Sequence, residues 1–165
     1  MTAALAVDVT ISAVAWNGML PDPEAVARKA AEAAWRALDA DGGAAEVSIV
    51  LADDETVRAL NMRHRAIDRP TNVLSFPIGG AVSGGAVPAM LGDIVLASGV
   101  VAREAEEQNK TPAAHLSHLV VHGVLHLVGY DHTTDPEADT MEDLEVRTLA
   151  ALGLPNPYRY GEAAE

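Results

Sequence analysis

Five of the six histidines fall within eighteen residues: His115, His118, His122, His126 and His132. On a helix advancing about 100° per residue, His122 and His126 stand about 40° apart on one face, with His118 about 40° to the other side of His122. Around them the chain reads HLSHLVVHGVLHLVG, an apolar stretch carrying a histidine stripe. Gly129 tolerates a positive φ, so a helix ending there lets the chain fold back and bring His132 towards the pair. Three neutral imidazoles converging on one point, with one position open, are the ligand set of a catalytic zinc site, and H-x3-H-x2-G-x2-H supplies them cheaply. The expected ligands are His122, His126 and His132, and the expected cofactor is one divalent ion, zinc foremost. His115 and His118 sit one or two turns back, roughly 6–10 Å along the axis at about 1.5 Å per residue, too far to share the ion. His118 is a candidate for touching substrate or orienting a ligand. Asp131, beside the third histidine, is a candidate partner for a ligand imidazole or a candidate base, against the plainer reading of an exposed acid at a turn.

One absence separates the chemistries. The spacing overlaps the zinc-protease motif H-E-x-x-H-x-x-G-x-x-H, but residue 123 is glycine where that motif carries its general-base glutamate. Without that carboxylate, peptide hydrolysis loses its proton shuttle. Met141, nine residues past His132, falls in an amphipathic stretch with Leu144, Leu149 and Leu152, so core packing explains it better than a metalloprotease turn. An open metal position can polarise a carbonyl or phosphoryl oxygen, or ionise water. Phosphoryl chemistry also needs cations to hold the spreading negative charge, and Arg58, Arg63, Arg65 and Arg69 are the only dense supply. Spacing alone reads Arg58, Arg63 and Arg69 as surface cations near a helix end.

The elements that must position these residues follow from pattern and punctuation. Valine-rich alternation predicts strands over 4–12, 45–52, 72–76 and 92–97. Asn17 to Pro23 reads as a turn, with Pro23 opening a helix over 24–39 that Asp41-Gly42-Gly43 stops. Asp53 or Asp54 caps a short helix to about Arg63, and three more helices are expected near 98–108, 112–128 and 135–152. The glycine-rich stretch 78–91 lacks a Gly-Lys-Ser/Thr ending and reads as a connector rather than a phosphate loop. The fold class is therefore α/β or α+β. A mixed sheet of about four strands packs with about five helices, and the metal site lies in the C-terminal helical half. At least one parallel pair is expected, with 72–76 and 92–97 as neighbours across the glycine stretch.

Composition sets the outer bounds. One domain is expected from 165 residues, with no linker or repeat. The absence of cysteine excludes disulfides, thiolate metal sites and a cysteine nucleophile. No apolar run approaches the ~20 residues of a membrane span, and the opening MTAALAVDVTIS lacks the basic start of a signal peptide. A soluble cytoplasmic protein is the expectation. Twenty-four acids against eleven Lys and Arg give −13, which argues against a broadly basic nucleic-acid face. A local positive patch survives this average, because at physiological salt fields decay over ~8 Å.

HGVLHLVGYDH at 122–132, with RPTNVLSFP at 69–77, LGDIVLA at 91–97 and REAEEQNK at 103–110, resembles the YbeY family of bacterial endoribonucleases. The resemblance spans most of the chain, from the second strand to Pro157. It implies a single-strand-specific, metal-dependent endoribonuclease that matures ribosomal RNA, chiefly at the 16S 3′ end, and serves ribosome quality control. It further implies a zinc-type ion on His122, His126 and His132. Single-stranded RNA, the small ribosomal subunit and its assembly factors are the implied partners, with no role for DNA or membrane. It places one endoribonuclease domain over 1–165, with a core of about 4–155 and a short tail over 156–165. The family's phosphate-handling arginine matches Arg65, the second residue of His64-Arg65. The chain departs from the usual pattern at His64, where an aromatic residue is common, and at Asn72, where aspartate is common. Two other readings stand beside the ribonuclease: a zinc metalloprotease-like hydrolase, and a non-catalytic ribosome-assembly factor braced by its metal.

Overall fold

The structure is a computed structural model that describes residues 5–38, 44–78 and 90–158. In chain order the elements are β1 (Leu5–Ile11), α1 (Ala15–Met19), α2 (Pro23–Ala37), β2 (Ala45–Ala52), α3 (Asp54–Arg65), β3 (Val73–Pro77), β4 (Met90–Ala97), α4 (Ser98–Glu107), α5 (Pro112–Leu127) and α6 (Asp135–Ala151). The four strands form one mixed sheet in the order β1-β2-β4-β3. β1 pairs with β2 and β2 with β4 in parallel, while β3 runs antiparallel to β4, so the expected neighbours across the glycine stretch do pair. Residues 79–89 of that stretch, and the Asp41-Gly42-Gly43 stop, lie outside the described residues.

Alternation along the strands sorts side chains to two faces. Val47, Ile49 and Leu51 of β2 and Ile94 and Leu96 of β4 point into the larger core with α2, α5 and α6. Ala52, Val95, Ala97 and Leu74 form a smaller cluster with Val57 of α3 on the opposite face. α5 is apolar nearly all round, with Leu116, Val120, Val121, Val124 and Leu125 fully buried, as expected of a helix enclosed by the sheet and its neighbours. β3 is the edge strand on the β4 side of the sheet, β1 being the other edge, with α3 and α5 packed against β3.

The helix starts are chemically explicit. Asp22, Asp53, Thr111 and Thr134 each accept a hydrogen bond from the backbone N–H three residues on, and three of the four are followed by proline at the first or second helical position. There are six helices among the described residues where five were expected. The turn read over Asn17–Pro23 begins inside the additional one, α1. This five-residue helix has no side-chain cap; it is held from outside itself by Trp16, wholly buried, whose indole Nε1–H donates to Ala52 O at 2.8 Å. Met141 lies in the main core, in keeping with the packing role read for it.

Candidate metal centre and its cleft

α5 carries His122 and His126 one turn apart near its C-terminus. The helix ends in a reversal: Gly129 N–H donates to His126 O at 3.0 Å and Tyr130 N–H to Leu125 O at 3.0 Å, with Gly129 at φ 104°. The chain turns back over three residues and delivers His132. The Asp131 carboxylate holds that turn, accepting from His132 N–H at 2.7 Å and from the Thr133 hydroxyl at 3.0 Å. These two bonds, the backbone one first, keep Asp131 below the usual carboxylate range. The structure thus places Asp131 beside the histidines with both oxygens engaged by the turn.

The His122, His126 and His132 ring centroids lie 4.6, 5.0 and 5.6 Å apart in pairs, and one ligand nitrogen from each lies within 4.8 Å of the others. Burial, reinforced by the neighbouring His122 and His132, lowers the pKa of His126, so its imidazole is neutral with a free lone pair at pH 7. An all-imidazole donor set of this spacing fits zinc or another borderline divalent ion. The three line a cavity of about 280 Å³ together with Arg65, Asn72 and Ser75. Arg65 reaches around the edge strand to donate to Ser75 O at 3.3 Å, with its guanidinium 5.8 Å from the Phe76 ring centre. His64 packs on the same ring at 4.9 Å.

Behind the histidines lies a group that the sequence reading passed over. Glu145 of α6 is fully buried. Its Oε2 accepts from His122 Nδ1–H at 2.9 Å and its Oε1 from His118 Nε2–H at 2.7 Å, and the Tyr158 hydroxyl donates a short hydrogen bond to the same Oε1. Burial pushes the Glu145 carboxyl up, but the bonds from His118 and His122 outweigh it and bring it down to about 2. Glu145 is therefore a carboxylate. By holding the proton of His122 on Nδ1 it leaves Nε2 as that ring's ligand atom. His118 points at Glu145 and is not in the cavity wall, so it supports His122 at one remove. Tyr158, in the tail, closes the same network, and its hydroxyl is held in its protonated form by burial and by Glu145. A signal for Glu145 existed: it is an acid on the buried stripe Met141, Leu144, Thr148, Leu149.

His115, buried, bonds Glu104 at 2.8 Å. Glu104 also accepts from the Asn72 amide at 3.0 Å, so this pair fixes Asn72 from behind the cavity wall. An aspartate at 72 would face Glu104 with a second carboxylate, whereas the amide of asparagine supplies the donor Glu104 needs.

Gly123 settles the protease comparison in space as well as in chemistry. It packs on β4, where a Cβ would sit 3.0 Å from two carbons of Ile94. A carboxylate at this position would drive into the sheet and away from the cavity.

Comparison with known proteins shows the family and the fold. The family described as Endoribonuclease YbeY matches residues 19–153. The chain belongs to the YbeY family of endoribonucleases. A relative of that name from Rhodopseudomonas palustris (strain BisB5) is 51% identical over 159 residues, covering 93% of this chain and 81% of the relative. Another, from Paramagnetospirillum magneticum, is 51% identical over 162 residues and covers 96% and 98% of the two chains. The solution structure of a Thermotoga maritima protein shares the fold, with a TM-score of 0.56 at 22% identity, over 96% of this chain and 99% of its own. No helix among the described residues is long and apolar enough to cross a membrane.

Proposed function

We propose that this chain is a metal-dependent endoribonuclease for single-stranded RNA, acting in the cytoplasm on ribosomal RNA. The small-subunit RNA 3′ end and the quality control of assembled subunits are its proposed settings. Residues 1–165 act in this reading as one catalytic domain. The observation that carries it is the convergence of three imidazoles and one arginine without a carboxylate partner, among the described residues, on the same cavity. His122, His126 and His132 would hold the ion, zinc in this proposal. When bound, such an ion supplies Lewis-acid polarisation of a phosphoryl oxygen and ionises water near neutral pH.

The chain's own residues do the rest. Arg65 binds the non-bridging oxygens of the phosphate and offsets the charge that grows on them, a task suited to a planar guanidinium. The bond from Arg65 to Ser75 O and its packing on Phe76 fix its direction before substrate arrives. Glu145 keeps the His122 proton on Nδ1, with His118 and Tyr158 anchoring the carboxylate. Asp131 serves by shaping the turn that delivers His132. The protease reading is disfavoured by Gly123, where a side chain would press on Ile94 and point at β4 rather than into the cavity.

The test is cleavage of a single-stranded RNA oligonucleotide beside its matched duplex, by wild type, Arg65→Glu and His126→Ala prepared identically. Wild type is expected to cut the single strand and spare the duplex. Arg65→Glu should retain metal but lose cleavage by a factor of roughly 100 or more. Equal cleavage by all three proteins would refute the reading.

A further inference from the structure

A second cavity, of about 390 Å³, lies against the first, and Arg65 and Val73 stand in the wall of both. Its own cation is Arg69, which the sequence alone reads as a surface residue. The loop that carries Arg69 is firmly built. α3 ends in a left-handed residue, Ala66 at φ 57°, and Ile67 N–H donates back to Asn61 O at 3.3 Å. The buried Asn61 side chain then donates to Arg69 O at 2.9 Å, pinning the backbone at that residue. Charge pairing around the loop is selective. Asp68, the loop's acid, is taken by Arg58 at 2.8 Å, and Arg58 also takes Glu55. Among the described residues no carboxylate pairs with Arg63, Arg65 or Arg69. In a chain of net charge −13, Arg65 and Arg69 thus stand without a carboxylate partner in the walls of two adjoining cavities.

From this juxtaposition we infer that the second cavity is a subsite for a neighbouring phosphate of the same RNA strand, with Arg69 as its cation. Arg65 stands between that phosphate and the one at the histidines. The inference rests on the endoribonuclease reading and extends it, since it makes the substrate a strand of at least two consecutive phosphates. A flexible single strand can bend through both cavities around the edge strand, whereas a duplex holds its phosphates on a fixed helical track.

The test is the salt dependence of binding, by fluorescence anisotropy, of a short single-stranded RNA oligonucleotide to the metal-loaded protein. Losing one phosphate contact on a single strand lowers the slope of log affinity against log salt by about 0.7. Arg69→Ala is expected to show that loss, with affinity at low salt down roughly tenfold. Arg69→Lys should keep the slope, and so should Arg36→Ala on α2, an exposed cation at a different cavity. A dinucleoside monophosphate, with a single phosphate, should bind wild type and Arg69→Ala alike. An unchanged slope in Arg69→Ala, with wild type binding RNA normally, overturns the subsite alone. Failure of wild type to bind or cut any single strand overturns the parent reading and the subsite with it.

Discussion

Glu145 is the residue on which the histidine cluster leans. A buried carboxylate that accepts from two imidazoles and a phenol fixes the direction of His122 and the nitrogen it presents. Glu145→Gln keeps the shape but puts an amide donor against one of those donors. Metal affinity is expected to fall by roughly 10- to 100-fold, measured by chelator competition on the folded protein. Affinity equal to wild type would contradict this role for Glu145. Glu104 makes a separate case. The His115 hydrogen bond holds its pKa below the usual 4.5 against the opposing effect of burial, with Asn72 assisting. A depressed carboxyl stabilises the fold above its unfolded pKa, and the gain is lost as pH falls through the folded value. Urea melts of wild type should therefore weaken below about pH 4.5, and Glu104→Gln should flatten that part of the profile. Parallel profiles for the two proteins would contradict the assignment. The three ligand histidines are legible in the chain because helical periodicity and one glycine are local signals. Glu145 is legible only as an acid on an apolar stripe of α6; nothing local ties it to His122, 23 residues away.

α5 is the element that joins core to site, with one face packed on the sheet and its C-terminal turn presenting the ligands. Gly123 faces Ile94 of β4 where the helix packs on the sheet, so Gly123→Glu tests the protease comparison directly. Installing the missing carboxylate should create no peptidase. It should destabilise the fold by ~3 kcal/mol or more, through the clash with Ile94 and a buried charge, read as a drop in the urea midpoint. A stable, proteolytic variant would reverse the assignment. Gly129 at φ 104° is the other hinge, and Gly129→Val should strain the turn that delivers His132. The strands and long helices were readable because alternation, acidic or threonine caps and proline at helix starts are strong local signals. α1 was not, since a five-residue helix is stabilised by Trp16 reaching Ala52, a contact 36 residues away in the chain. The order β1-β2-β4-β3 was equally hidden, because parallel neighbours are chosen by how crossover helices cover the sheet.

At the scale of the molecule, a net charge of −13 still leaves three arginines, Arg63, Arg65 and Arg69, that no carboxylate pairs with among the described residues. Acids crowd α6 and the turn before it, while Arg63, Arg65 and Arg69 gather where α3 meets the edge strand. Fields from charges beyond the cleft are screened over ~8 Å at physiological salt, while Asp131 and Glu145 beside the histidines are engaged in hydrogen bonds, so the cleft's local charge governs RNA approach. In the proposed function, one ion on His122, His126 and His132 is what makes this fold cut RNA. This is tested most directly by stripping the protein with a chelator and adding zinc back stepwise, following bound metal and single-strand cleavage together. One equivalent is expected to bind and cleavage to rise in proportion in wild type, with neither in a folded His126→Ala protein. Cleavage that persists in the stripped protein, or returns with zinc in His126→Ala, would contradict it.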